Sequence, residues 1–177
     1  MITFDPGVKG GFAWKCDGEV FTAPIPPFPK DAKETGINWS NFQLASISRL
    51  VAYIKLYGES NMVYSEHVGP RPSDTPKTAY RLSANYHTCL AVLKSYAIEV
   101  KQFQPRYWQN QLPFLVPSGD HNYTLRKKMF HDFAKEKYPK VKQVGFNKKG
   151  TVKIKECAPI KAVADAVCML WVFSGDV

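Results

Sequence analysis

Asp165 stands alone as a charge within Ala162-Val163-Ala164-Asp165-Ala166-Val167-Cys168-Met169-Leu170. No other feature of the chain restricts its fold as much. A helix carrying that run must bury it, and a carboxylate buried without a partner or a metal is costly. The remaining elements therefore have to bring a partner to this helix. Pro159 is expected to open it and Phe173 to lie near its end, which puts Asp165 one to two turns in.

The first elements are legible from their punctuation. Ile2-Thr3-Phe4 runs into Asp5-Pro6-Gly7, Gly10-Gly11 leads to Phe12-Ala13-Trp14, and Asp17-Gly18 precedes Glu19-Val20-Phe21-Thr22. This pattern predicts three short strands joined by two tight turns. Pro24, Pro26, Pro27 and Pro29 then form a stiff connector, since proline neither donates to a ladder nor continues a helix. Phe42, Leu44, Ala45, Ile47, Leu50, Val51, Ile54 and Leu56 recur at helical spacing and predict a helix from Trp39 to Tyr57, stopped by Gly58.

Met62 to Ser65 reads as a buried strand ending at Glu66, and His67 to Asp74 as a polar loop. Thr75-Pro76 is an N-cap and first-turn signal for a long helix, with Ala79, Leu82, Tyr86, Leu90, Leu93 and Ala97 as its buried face. Ile98 to Phe103 resembles a strand, Pro105 to Leu112 a short helix, and Leu125 to Tyr138 a basic amphipathic helix closed by Pro139. Lys140 to Lys155, rich in lysine and glycine, is expected to be mobile. The order of elements predicts an α/β fold, a mixed five-stranded sheet flanked by helices. With 177 residues, 45% of them hydrophobic, and no repeat or long linker, a single domain over 1–177 is expected.

A net charge of +9 fits a polyanionic partner, because lysines and arginines that neutralise phosphates release condensed counterions. There is no apolar run long enough to span a bilayer, no secretory start at Met1 to Asp5, and no C-x-x-C spacing among Cys16, Cys89, Cys157 and Cys168. A cytoplasmic protein with reduced thiols, no structural zinc and no membrane partner is expected.

The residues that carry chemistry lie at the ends of the elements. Asp5 follows the first strand and Glu66 the fourth. If those strands are neighbours and the last helix packs across their ends, three carboxylates converge. Such a cluster repels itself at neutral pH and calls for hard cations; magnesium takes oxygen ligands and keeps waters. Two such ions about 3.5–4 Å apart would activate a water and stabilise the leaving oxygen of a phosphodiester displacement. Taken singly, Asp5 before Pro-Gly is equally a turn residue, and Glu66 equally a solvated strand end.

Five ordered elements then carry a resemblance. Phe4-Asp5-Pro6-Gly7 with Gly10-Gly11-Phe12-Ala13-Trp14, Val63-Tyr64-Ser65-Glu66-His67-Val68, Pro105 with Trp108, the lysine-led stretch from Lys127 to Pro139, and Ala164-Asp165-Ala166 together resemble the RuvC-like Holliday junction resolvases, especially their phage and prophage branch. The resemblance implies a ribonuclease-H-like fold and a homodimer that binds four-way DNA junctions and nicks two strands. It implies magnesium, with manganese able to substitute, and two ions per active site. Asp5, Glu66 and Asp165 would be the metal ligands, and Lys127 would approach the scissile phosphate. The family's fourth ligand, three or four residues before the last aspartate, is here Ala162 or Lys161. Glu156 could reach in from the lysine-rich segment to replace it, or Lys161 could contact a phosphate instead. Gln109 stands where many relatives are basic.

Lys9, Arg71, Lys77, Arg81 and Arg106 are further candidates to hold phosphates flanking the cut, and such contacts favour branch shape over sequence. His67, Pro70 and Pro72 lie on the loop after Glu66, where a ring could wedge at the branch point or simply sit on an ordinary surface loop. Three other readings stay open. These are a non-catalytic branched-DNA-binding protein, a less selective ribonuclease-H-like nuclease, and a sugar-kinase or actin-like ATPase, whose second domain 177 residues would not supply.

Overall fold

The structure, a computed structural model, describes residues 1–7, 10–25, 39–58, 60–69, 74–147 and 151–176, and the backbone alone of residues 39–43, 77, 81 and 120. Among the described residues seven strands form one sheet: β1 (Ile2–Asp5), β2 (Gly11–Cys16), β3 (Glu19–Pro24), β4 (Met62–Glu66), β5 (Glu99–Phe103), β6 (Val141–Phe146) and β7 (Val152–Cys157), in the order β5-β4-β1-β2-β3-β6-β7. The helices are α1 (Trp39–Tyr57), α2 (Pro76–Ser95), α3 (Pro105–Gln109), α4 (Tyr123–Lys137) and α5 (Ala164–Ser174). β1, β2 and β3 pair antiparallel, β4 runs parallel to both β1 and β5, and β6 runs parallel to β3, which makes the sheet mixed.

The two-residue period of the strands sorts the core into two layers. Ile2, Phe4, Phe12, Trp14, Phe21 and Val63 point to one face and pack with Ile47, Leu50, Val51 and Ile54 of α1 and Cys89, Val92 and Leu93 of α2. Ala13, Val20 and Val141 point to the other and pack under Phe130, Phe133 and Ala134 of α4 and the apolar run of α5. Thr3 belongs to this second face. Its hydroxyl donates to the Ala166 carbonyl at 2.7 Å, tying β1 to α5 through a fully buried hydrogen bond.

The glycine pair between β1 and β2 is dictated by space. A methyl group at Gly10 would lie 2.1 Å from the Asp5 carbonyl oxygen, and one at Gly11 2.6 Å from that of Ala23 and 2.8 Å from the Val163 side chain. The chain must close on itself here so that the segment before α5 can settle over β2 and β3.

The sheet has seven strands rather than five because the stretch from Lys140 to Lys155, expected to be mobile, folds as the hairpin β6–β7. Its apolar alternation, Val144 and Phe146 against Ile154 and Val152, is interleaved with lysines, while Val141 turns to the opposite face. Lysine on an edge strand blocks pairing with other chains while leaving the ladder intact, so these residues disguise a strand as a solvated loop. Lys148 and Lys149 lie outside the described residues. The last helix also begins later than expected: Lys161–Val163 form a 3-10 turn, so Asp165 sits in the first turn of α5 instead of one to two turns in. On α2 the Thr75 cap accepts from the Thr78 N–H as expected, but the buried face is Asn85, Tyr86, Cys89, Val92 and Leu93, with Ala97 exposed beyond the helix end. None of the four cysteines is in a disulfide, and Cys89 and Cys168 are the buried pair. Among the described residues no helix is long and apolar enough to cross a membrane.

Replacing Thr3 by valine keeps the shape and removes the β1–α5 hydrogen bond. We expect a loss of about 1 kcal/mol, read as a lower urea midpoint with an unchanged slope. An unchanged midpoint would show that packing alone holds α5 on β1.

Candidate active site

Asp5 and Glu66 are the last residues of β1 and β4. These strands are parallel neighbours in the register Thr3↔Tyr64 and Phe4↔Ser65, so the next step sets Asp5 beside Glu66 on the same face, one strand spacing of about 4.8 Å away. That face is the one α5 covers. The Thr3–Ala166 hydrogen bond fixes the first turn of α5 over β1 and so brings in Asp165, residue-adjacent to the bonded carbonyl. The three carboxylates thus meet where β1, β4 and α5 end or begin. The positive end of the α5 dipole also faces Asp165.

Lys127 completes the cluster. On α4 it shares a stripe with Phe130 and Ala134, the residues that pack on α5, so its side chain is aimed inward. Its ammonium donates to Asp165 Oδ2 at 2.6 Å and lies 3.9 Å from Asp5 Oδ2. Burial works to lower the Lys127 pKa, but the attraction of Asp5 and Asp165 outweighs it and holds the group charged. The Tyr123 ring sits 5.7 Å from the same ammonium.

Each carboxylate has a distinct setting. Asp5 Oδ1 accepts from the Gly7 N–H at 2.9 Å, which explains why a tight Pro-Gly turn follows it. Asn85, reaching over from α2, donates to the Pro6 carbonyl at 3.3 Å and steadies that turn. Glu66 Oε1 accepts from the Trp108 indole N–H at 3.1 Å. Burial, and then the charges of Asp5 and Asp165, push the Glu66 pKa well above the carboxylate range. Asp165 is raised too, by burial first, with Lys127 pulling it down and Asp5 pushing it up.

Asp165 Oδ1 is buried with no hydrogen-bond partner. A buried acceptor left in this state is costly, and a cation would satisfy it. Acid oxygens facing an orphaned carboxylate oxygen suit a hard divalent ion. The cluster is nonetheless open: among the described residues no three His, Cys, Asp or Glu side chains are gathered closely enough to hold a metal, and the Lys127 ammonium is the cation present between the aspartates.

Other candidates are placed elsewhere. Glu156 is not near the cluster. It pairs across β6–β7 with Lys142, which aligns with Phe21, Trp14 and Ile2 in turn. That puts it four strand spacings, about 19 Å, from β1 and at the opposite end from Asp5. There it forms a 3.1 Å ion pair with Lys140. Lys161 is exposed on the 3-10 turn before α5. Arg106 donates to the Val116 carbonyl at 3.3 Å, and Gln109, three residues on, is buried. His67 is exposed, its ring 3.2 Å from Gln102 Oε1. Lys9, Pro70, Arg71 and Pro72 lie outside the described residues, as do the side chains of Lys77 and Arg81. Thr3, Asn85 and the bond from Trp108 to Glu66 were not legible from sequence. Trp108 had a visible signal, a buried-type residue three positions into a helix that directly follows the strand beside Glu66.

No protein-family model matches the sequence, and no curated protein matches it. Among solved structures, Thermus thermophilus RuvC aligns with a TM-score of 0.55 over 98% of this chain and 93% of that chain, at 11% identity. At that identity the likeness shows the fold, which is the RuvC type of mixed α/β architecture.

Lys127→Met in the metal-free protein at neutral pH is expected to cost about 2 kcal/mol, discounted from a fully buried pair because the lysine is partly exposed. Lys127→Met with Asp165→Asn should recover most of that loss. A double-mutant cycle in urea checks this, and strictly additive losses would mean that the two groups do not interact.

Proposed function

We propose that this chain is a metal-dependent nuclease that resolves four-way and related branched DNA junctions by paired phosphodiester hydrolysis. The observation that carries the proposal is the placement of Asp5, Glu66, Asp165 and Lys127 at one end of the sheet, three acids and a lysine contributed by β1, β4, α5 and α4. The RuvC-type fold supports it, as does the net charge of +9, which suits a polyphosphate partner.

In this reading Asp5, Glu66 and Asp165 hold magnesium, or manganese in its place, with two ions per site. The ions would supply a nucleophilic water and charge stabilisation at the scissile phosphate. The residues themselves do the positioning. Gly7 and Trp108 orient one oxygen each of Asp5 and Glu66, and Asp165 offers Oδ1 while its Oδ2 stays on Lys127. Lys127 adds a fixed positive charge beside the reacting phosphate, where developing negative charge is stabilised without reorganisation. Lys161 and Arg106, with Lys9, Arg71, Lys77 and Arg81, would contact flanking phosphates. The reading includes a single nuclease domain over 1–177, a homodimer that presents two sites to the junction, a cytoplasmic setting and a place in the phage and prophage branch.

A second reading, a branched-DNA-binding protein without cleavage, is favoured by the open acid cluster and by the Lys127 ammonium lying between its aspartates. One experiment separates the two. A four-way junction labelled on each strand in turn is incubated with magnesium and with wild type, Asp5→Asn or Asp165→Asn. Paired, symmetry-related nicks from wild type and none from either variant are expected, and Glu156→Gln should cut as wild type does. Equal product from all the proteins would contradict the proposal, binding without cutting would establish the second reading, and equal cutting of linear duplex would reduce the activity to a less selective nuclease.

A further inference from the structure

Beside the acid cluster lies a set of rings that the chemistry above leaves unused. Tyr64 and Phe103 have centroids 5.8 Å apart at 10°, Phe103 and Tyr107 5.1 Å apart at 22°, and Tyr64 and Phe173 4.9 Å apart at 26°. Near-parallel rings at these separations form an offset stack. It is built where the edge strand β5, the short helix α3 and the end of α5 meet.

The stack is not closed. Tyr107 is 55% exposed although it stacks on both Phe103 and Phe173; those two rings lie 5.0 Å from each other and so back it from one side, which leaves its far side to solvent. A ring serving only the core is covered on both sides, as Trp108 is at 0%. The stack is also held to the acids. Phe103 is the register partner of Glu66, and Trp108, the neighbour of Tyr107, donates to Glu66. Lys101, the register partner of Tyr64 on the same face, is exposed and enters no ion pair among the described residues.

We propose that Tyr107, backed by Phe103 and Phe173, is a stacking platform for an unpaired nucleobase of the strand engaged at Asp5, Glu66 and Asp165, with Lys101 meeting the adjoining phosphate. This rests on the nucleic-acid reading of the site and adds a contact with a base to it. Charge decides the occupant. A second copy of a chain carrying +9 would bring like charge to Lys101, whereas a nucleic-acid strand brings an aromatic face and a phosphate together. The base has to be unpaired, because within a duplex its faces are taken by its neighbours. The open face of Tyr107 therefore selects single-stranded or branch-point nucleotides over continuous duplex.

The test uses fluorescence anisotropy without divalent ions. Wild type, Tyr107→Ala and Tyr107→Phe are titrated with a short labelled oligothymidylate and with an abasic strand of equal length. Stacking on one base corresponds to about a tenfold loss of affinity for Tyr107→Ala on the oligothymidylate, with Tyr107→Phe retaining wild-type affinity and all three proteins binding the abasic strand alike. No loss for Tyr107→Ala, an equal loss on the abasic strand, or no binding of the oligothymidylate by wild type would overturn the proposal. So would a change in sedimentation of Tyr107→Ala with equal losses on both strands, since it would mark the rings as a subunit contact. Junction cleavage by wild type is run in parallel. Cutting without the stacking loss removes the platform alone, and the stacking loss without cutting removes the nuclease reading alone.

Discussion

The contact between the Lys127 ammonium and Asp165 makes it possible for α5 to lie where it does. An apolar helix that must be buried carries a carboxylate in its first turn, and that carboxylate can enter the interior only against a cation. α4 supplies the cation because its inward stripe of Lys127, Phe130 and Ala134 both packs on α5 and ends at the acid. The same packing aligns α5 over β1, where the Thr3 hydroxyl holds the Ala166 carbonyl. Stability and site geometry therefore share their contacts, and Lys127 cannot be exchanged for an apolar residue without exposing two aspartates to each other.

From this one constraint the asymmetry of the sheet follows. The face carrying α1 and α2 is lined by aromatic and branched residues, Ile2, Phe4, Phe12 and Trp14 among them, and among the described residues its core holds no charge. The face carrying α4 and α5 spends its end positions on Asp5 and Glu66. There the hydrogen bonds are directional: Gly7 to Asp5, Trp108 to Glu66 and Lys127 to Asp165. Three different donors, from a turn, a helix and another helix, orient three acids whose mutual repulsion would otherwise spread them. Asp165 Oδ1, a buried carboxylate oxygen with no hydrogen-bond partner among the described residues, marks the place where the protein alone does not balance its own charge.

Much of this was legible in the residues. The glycine pair at Gly10 and Gly11, the cap at Thr75 and the apolar spacing from Trp39 to Tyr57 fixed local structure directly, since each is a local steric or hydrogen-bonding requirement. Asp165 was legible as a buried charge because an apolar run leaves it no other place. What could not be read was set by partners distant in sequence. The edge hairpin β6–β7 hid behind lysines, and the true start of α5 depended on a 3-10 turn that Val163 packs against Gly11. Glu156 looked close to the site by sequence distance, yet register across four strands carries it to the far end of the sheet. The ring stack at Tyr107 draws on β4, β5, α3 and α5, and no spacing within one element announces it.

We propose that Asp5, Glu66 and Asp165 form one site for a hard divalent cation, with Lys127 as its internal counter-charge. Calorimetric titration of the nucleic-acid-free protein with manganese tests it most directly. Saturable binding that is abolished in Asp165→Asn and retained in Glu156→Gln is expected. Absence of saturable binding in the wild type, or equal binding in Asp165→Asn, would contradict it.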